Sequence, residues 1–222
     1  MRDGHGDDLH CYEGIRANFS SNVTSLTLPT ALREHLRGEV DRIGSYPEPT
    51  ASSLAAALAA HHRLDASEVL VTSGATEGIY LLAQAYRDLV HYYSPAPTFS
   101  EYKDAGSLFA RQQVQLETFE PQEDAPAGVY WLCSPNNPTG KVYPQEFLES
   151  LWIRFPHIYF VIDSSYSYFT QASLPDPSET IHRFPNVIFV ASLTKRYAMP
   201  GLRLGYVMAA SEVIQRLSAY AA

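Results

Sequence analysis

A chain of 222 residues with 45% hydrophobic and 18% charged residues has the composition of an ordinary globular protein able to bury a sizeable core, not of a disordered one. Sixteen Lys and Arg against 24 Asp and Glu give a formal net charge of −8, which argues against nucleic acid or an anionic membrane as the main partner while leaving room for a local basic pocket. The start, MRDGHGDDLH, carries acids and no apolar segment, so it does not read as a secretory signal, and the longest apolar run, LAAALAA, is too short to cross a bilayer.

In chain order, residues 29–40 and 50–63 read as helices, the second with Ala and Leu at helical spacing. EVLVTSG (68–74) is a β-rich run ending in glycine, and ATEGIYLLAQAYRD (75–88) continues with helical periodicity. LVHYYS (89–94) is a predicted strand, PTFSEYKDAGSLFARQ (97–112) a helix, and VQLETF (114–119) and VYWLCS (129–134) are strands. PQEFLESLWIRF (144–155) is a predicted helix, and IYFVIDSSY (158–166), NVIFVASL (186–193) and RLGYVMA (203–209) are strands. The Pro-punctuated residues 94–97 and LPDPSET (174–180) read as loops. Apolar strands separated by amphipathic helices imply the α/β class, with a mostly parallel (mixed) sheet covered by helices on both faces. In such sheets ligands gather at the carboxyl ends of strands, and four polar clusters fall there: SGATEG, SPNNPTG, DSSYSY and SLTK.

Each cluster has a chemical and an ordinary reading. Gly74, Ala75 and Thr76 sit between strand and helix, where small residues let backbone amides approach an anion; a tight turn with Thr76 as N-cap explains the same residues. The prolines of SPNNPTGKV stiffen a loop presenting Asn136 and Asn137, either as hydrogen-bond donors or as a plain Asn-Pro turn. Asp163 at a buried strand end needs a cation or donors, so it is a site carboxylate or one member of a structural ion pair or cap. Lys195, just after an apolar strand, is a surface charge or an amine poised to attack a carbonyl and form a Schiff base. Ser192 and Arg203 near it would clamp a phosphoryl group. Together, amine, carboxylate, donor asparagine and phosphate nest describe the needs of pyridoxal phosphate, with Asn137 and Tyr166 on its phenolic oxygen and Phe99 stacked on its ring. The two cysteines, Cys11 and Cys133, lie far apart and fit a reducing cytoplasm, the first as an incidental thiol and the second as a small buried side chain. No metal site is expected, and His61, His62 and His91 read as solvated.

The strings YPEP, GATEG, PTF, NNPTG, D-x-x-Y and SLTK…GLRLGY occur in that order between Tyr46 and Tyr206. With them the chain resembles the fold-type I pyridoxal-phosphate enzymes of aminotransferase class I/II. The resemblance implies Lys195 as the cofactor's covalent anchor and as proton shuttle at the substrate's Cα. It implies Asp163 on the pyridine nitrogen, Asn137 and Tyr166 on the phenolic oxygen, and Gly74, Ala75, Thr76, Ser192 and Arg203 at the phosphate. Tyr46 would reach the phosphate in a partner subunit, which implies a homodimer with shared sites. The implied division is an N-terminal arm and first helix at 1–45 and a cofactor-binding domain at 46–222. The family's C-terminal small domain would lie beyond them, so these residues alone are expected to turn over little substrate. YPEP and GATEG resemble histidinol-phosphate aminotransferases. The HG and NFSSN segments (His5, Gly6 and residues 18–22) and SLTKRYAMPGLRLGY resemble threonine-phosphate decarboxylases, so a phosphorylated amino acid or amine is the expected substrate; His5 could then approach its phosphate, but reads first as a disordered terminal histidine. A relative that binds cofactor without turnover is a further alternative. A nucleotide-binding α/β enzyme is weakest, because neither G-x-G-x-x-G nor a Walker lysine is present. Phe99 stands where the aminotransferase branch usually has tyrosine, keeping the stacking and losing a hydrogen bond.

Overall fold

A computed structural model describes residues 11–19, 21–23, 28–89, 91–116 and 118–221; His5 and Gly6, and the single predicted strand residues Val90 and Glu117, lie outside the described residues. Seven strands form one sheet: β1 (Val69–Thr72), β2 (His91–Pro95), β3 (Gln112–Leu116), β4 (Gly128–Cys133), β5 (Ile158–Asp163), β6 (Val187–Ser192) and β7 (Gly205–Met208). Their order is β1-β7-β6-β5-β4-β2-β3. The pairs among β2 to β6 are parallel, and only β7 runs antiparallel, to β6 on one side and β1 on the other. The expected mixed, mostly parallel sheet is what forms.

Why two faces must be covered follows from alternation along each strand. On β4, Val129, Trp131 and Cys133 join one apolar core, whereas Tyr130 and Leu132 join the other. The first core is closed by α3 (Ala75–Ala85), α4 (Ser100–Phe109) and α7 (Ser211–Ser218), through residues such as Ile79, Tyr102 and Ile214. The second is closed by α2 (Ser52–His62), α5 (Gln145–Arg154) and α6 (Pro177–Arg183), through Ala59, Trp152 and Ile181. Outside this sandwich, α1 (Thr30–Gly38) and the 3-10 turn Val40–Gly44 bury no residue, and Val40, Ile43 and Tyr46 are exposed.

The sequence reading needs correction at several elements. LPDPSET is not all loop: Asp176 accepts from the amides of Ser178 and Glu179 as an N-cap, and Pro177 opens α6. The strand predicted through Tyr166 stops at Asp163, where the backbone turns, and the strand predicted from Arg203 begins at Gly205, because Arg203 adopts a left-handed φ of 50°. His62 is not solvated; half-buried, its Nε2 lies 2.9 Å from Tyr206 Oη. His91 is also partly buried.

Candidate functional site

Register brings the strand ends together. Thr72 pairs with Gly205 and Gly205 with Ser192, while Asp163 pairs with both Val190 and Cys133. One edge of the sheet therefore carries Ser192 and Asp163 at nearly the same level, and the segments that follow them form the walls. A cavity of about 560 Å³ opens there, in the range of small-molecule sites. Ala75, Thr76, Phe99, Asn137, Asp163, Tyr166, Ser192, Lys195 and Arg203 all line it. Sequence reasoning collected them from five separate stretches.

The helix end at this cavity is held close to the sheet by two glycines. A Cβ on Gly205 would lie 2.5 Å from the Gly74 carbonyl carbon and 2.6 Å from the Ala75 nitrogen, and one on Gly78 would meet a Val207 methyl at 2.9 Å. Helix α3 begins at Ala75 with Gly74 as N-cap and, among the described residues, no side-chain cap bond, and its first two residues line the cavity. Thr76 is thus the second helical residue and not the cap that the sequence suggested. Gly74, at φ 85°, does not line the cavity; it backs it, with the Arg203 guanidinium packed where its Cβ would be, 2.7 Å from Nη2. Among the described residues Arg203 forms no salt bridge, so its charge is not already neutralised by a carboxylate.

Across the cavity Asp163 is 3% exposed. Burial pushes its pKa up; opposing that are the Ser165 amide, 2.9 Å from Oδ1, the Tyr102 hydroxyl, 2.8 Å from Oδ2, and the charge of Lys195. Tyr102 is itself fully buried, stacked on Trp131 at 5.6 Å, and its own pKa is raised by burial and by Asp163. Lys195 sits in the turn directly after β6, partly buried, with Nζ 6.0 Å from the Tyr166 ring centroid.

Sequence reasoning paired Asn136 with Asn137, and the structure separates them. Asn136 ties its loop to the one after β2, donating to Pro97 O at 3.0 Å and to Thr139 Oγ1 at 2.8 Å and accepting from Thr98 at 2.8 Å, while Asn137 faces the cavity. Three contributors were missed. Tyr102 was read only as part of a helix, although it follows Phe99, the N-cap of α4, by three residues and the two rings meet edge to face at 5.7 Å. Thr194 Oγ1 lines the cavity, buried and without a hydrogen-bond partner among the described residues. Asn22, quoted only within a motif, lies over the cavity with its Nδ2 3.4 Å from both Asn137 Oδ1 and Tyr166 Oη. Tyr46 is fully exposed and does not line this chain's cavity. Cys133 lines it, with burial raising its thiol to about 12, so it is an inert wall. Among the described residues no cluster suits a metal ion, and no helix is long and apolar enough to cross a membrane.

The sequence matches the family described as aminotransferase class I and II over residues 16–222. The chain belongs to that family. Its members are fold-type I pyridoxal-phosphate enzymes. A histidinol-phosphate aminotransferase from Staphylococcus haemolyticus is 29% identical over 94% of this chain and 63% of its own length. One from Bacillus licheniformis is 28% identical over 89% and 58%. Among solved structures, L-threonine-O-3-phosphate decarboxylase from Porphyromonas gingivalis superposes with a TM-score of 0.84 at 31% identity, covering 90% of this chain and 65% of that one. The chain thus spans about three-fifths of the length of the curated relatives it matches.

The cavity suits the family's cofactor on physical grounds. Its buried carboxylate is costly unless a cation meets it, and its uncapped helix start and the Arg203 guanidinium, which meets no carboxylate among the described residues, want an anion. The Thr194 hydroxyl has no hydrogen-bond partner among the described residues. A ring carrying a protonated nitrogen at one end and a phosphate at the other would answer these needs together.

Proposed function

We propose that residues 46–222 form the cofactor-binding domain of an enzyme acting on a phosphorylated amino acid or amine, that residues 1–45 are an N-terminal arm, and that Lys195 is the covalent anchor. The observation that carries this is the convergence of Lys195, Asp163, the start of α3 and Arg203 on one cavity. When bound, pyridoxal phosphate supplies an aldehyde for attachment and a ring that withdraws electrons from the substrate's Cα. The first amides of α3, Ser192 and the Arg203 guanidinium hold the phosphate, with Gly74 giving Arg203 the space to approach. Asp163 holds a proton on the ring nitrogen, and burial makes that pairing strong because water does not compete. Phe99 covers a ring face, and Asn137 and Tyr166 donate to the phenolic oxygen. The Lys195 amine would also be the group that moves the proton at Cα.

The substrate reading leads with decarboxylation of a phosphorylated small amino acid. Its support is the NFSSN and YAMPGLRLGY strings together with the 31% identity to threonine-phosphate decarboxylase. Transamination of histidinol phosphate is the second reading, favoured by YPEP, GATEG and the curated relatives at 27 to 29% identity. A homodimer belongs to either, supported by exposed Val40, Ile43 and Tyr46 on a segment that buries nothing in its own chain. A cytoplasmic location fits the two free cysteines.

Two experiments separate the claims. Borohydride reduction with pyridoxal phosphate, then peptide mapping, should place the pyridoxyl group on Lys195; label elsewhere, or none, defeats the anchor. The complete gene product, given threonine phosphate, should release CO₂. Glutamate formed only from histidinol phosphate with 2-oxoglutarate would hand the assignment to the aminotransferase.

A further inference from the structure

The segment over the cavity mouth places one side-chain amide between two of the lining residues. Asn22 Nδ2 is 3.4 Å from Asn137 Oδ1 and 3.4 Å from Tyr166 Oη, across 115 and 144 positions of sequence. An amide nitrogen carries two hydrogens, so a single group can serve both acceptors. Each contact has a directional consequence. With its oxygen occupied by Asn22, the Asn137 amide is fixed in the orientation that leaves Nδ2, a donor, for the cavity. With a lone pair occupied, Tyr166 has its O–H left to give.

We infer that Asn22 is a positioning residue that sets the hydrogen-bond polarity of this wall, turning Asn137 and Tyr166 into a pair of donors that selects a negatively charged oxygen. The inference rests on the cofactor-site reading above and deepens it, because Asn137 and Tyr166 are the groups assigned there to the phenolic oxygen. Asn22 itself is exposed and outside every helix and strand, so it can be replaced without disturbing the core. The titratable groups around Tyr166 are Asp163, Cys133 and Lys195, none of which is altered in the test.

The test is the pH midpoint of the visible absorbance change of the chain loaded with pyridoxal phosphate, a quantity set by how well the site holds the deprotonated oxygen. Asn22→Asp keeps the shape but offers only acceptors, so Asn137 Nδ2 and the Tyr166 O–H should turn towards it. The midpoint should then rise by about one to two pH units. Asn22→Ala adds no charge and merely frees the two groups, so a rise of roughly half a unit is expected. A role confined to holding the segment in place would weaken cofactor affinity and leave the midpoint where it is. An unchanged midpoint in both variants overturns the inference. A rise confined to the Asp variant would be the field of the added carboxylate, and overturns it as well. If the wild-type chain takes up no cofactor and shows no pyridoxyl-Lys195 after borohydride, the site reading itself fails and this inference with it.

Discussion

Gly205→Ala adds one methyl group where the structure has no room for it. The new Cβ would be 2.5 Å from the Gly74 carbonyl carbon, 2.6 Å from the Ala75 nitrogen and 2.9 Å from the Ala191 carbonyl oxygen, all backbone atoms. Reaching an ordinary 3.4 Å contact takes a displacement of roughly 0.9 Å, and the atoms that must yield are the first residues of α3. Gly205 has no left-handed φ, so space alone decides the residue here. Overpacking of this kind costs about 1–3 kcal/mol of stability. The same shift lengthens hydrogen bonds from the α3 amides to a bound phosphate beyond useful range, and losing one or two charge-assisted bonds weakens binding about 10- to 100-fold. Spectrophotometric titration with pyridoxal phosphate and urea unfolding measure the two effects. Gly78→Ala is the comparison: its Cβ meets side-chain atoms only, the nearest a Val207 methyl at 2.9 Å, and helix propensity gains about 1 kcal/mol, so its losses of stability and affinity should both be smaller than those of Gly205→Ala. Wild-type affinity in Gly205→Ala would refute the idea that this close approach places the phosphate nest.

Asp163→Asn removes a carboxylate that the fold buries at a cost. Because burial raises the carboxyl's pKa in the folded state, its ionisation weakens the fold as pH rises through that value. Without cofactor the variant should be more stable than wild type at pH 7, with the gain vanishing in acid, and turnover of the complete protein should fall by a large factor; a variant less stable at pH 7 contradicts the burial account. Tyr102→Phe takes the donor from Asp163 Oδ2 and should cost about 1–3 kcal/mol in urea unfolding, and no loss would mean that this bond is immaterial. For His62, burial is the largest cause of a lowered pKa, with the neighbouring His61 adding to it, so the fold loses stability as pH falls below the ordinary histidine value. His62→Gln should flatten the stability profile between about pH 7 and 5, and an unchanged slope would place the effect elsewhere.

What could be read from the sequence was the part written in local strings. Apolar runs ending in polar clusters located β1, β4, β5 and β6 and, with them, eight cavity-lining residues, Phe99 coming instead from the loop after β2, because in a parallel sheet a strand's end is also its place in the site. Helix α6 was legible in principle: Asp176 followed by Pro177 is a cap and a first-turn proline, and the density of turn-forming residues around them hid it. Asn22, Tyr102 and Thr194 were not legible as site residues. The first two act through hydrogen bonds to residues 61 or more positions away, and Thr194 is notable only because burial leaves its hydroxyl unserved. Histidine burial was misjudged because nothing near His62 in sequence announces Tyr206.

The single reversed strand, β7, governs which changes to the chain the site can survive. Because β7 runs back beside β6, Ser192 faces Gly205, and the Leu193 amide bonds to Leu204 O at 3.1 Å, the stretch 193–204 leaves and re-enters the sheet at one spot. Lys195 and Arg203 are therefore tethered at both ends of one short excursion, whereas Asn137 and Asp163 each arrive on separate crossovers. An inserted residue within 193–204 would shift amine against guanidinium directly, since only the 3-10 turn Pro200–Leu202 lies between them. The same insertion in the link from β3 to β4 would lie near the far edge of the sheet, several strands from β6. Among the links between strands, tolerance to length change should consequently be lowest in the loop after β6 and greater around residues 118–127.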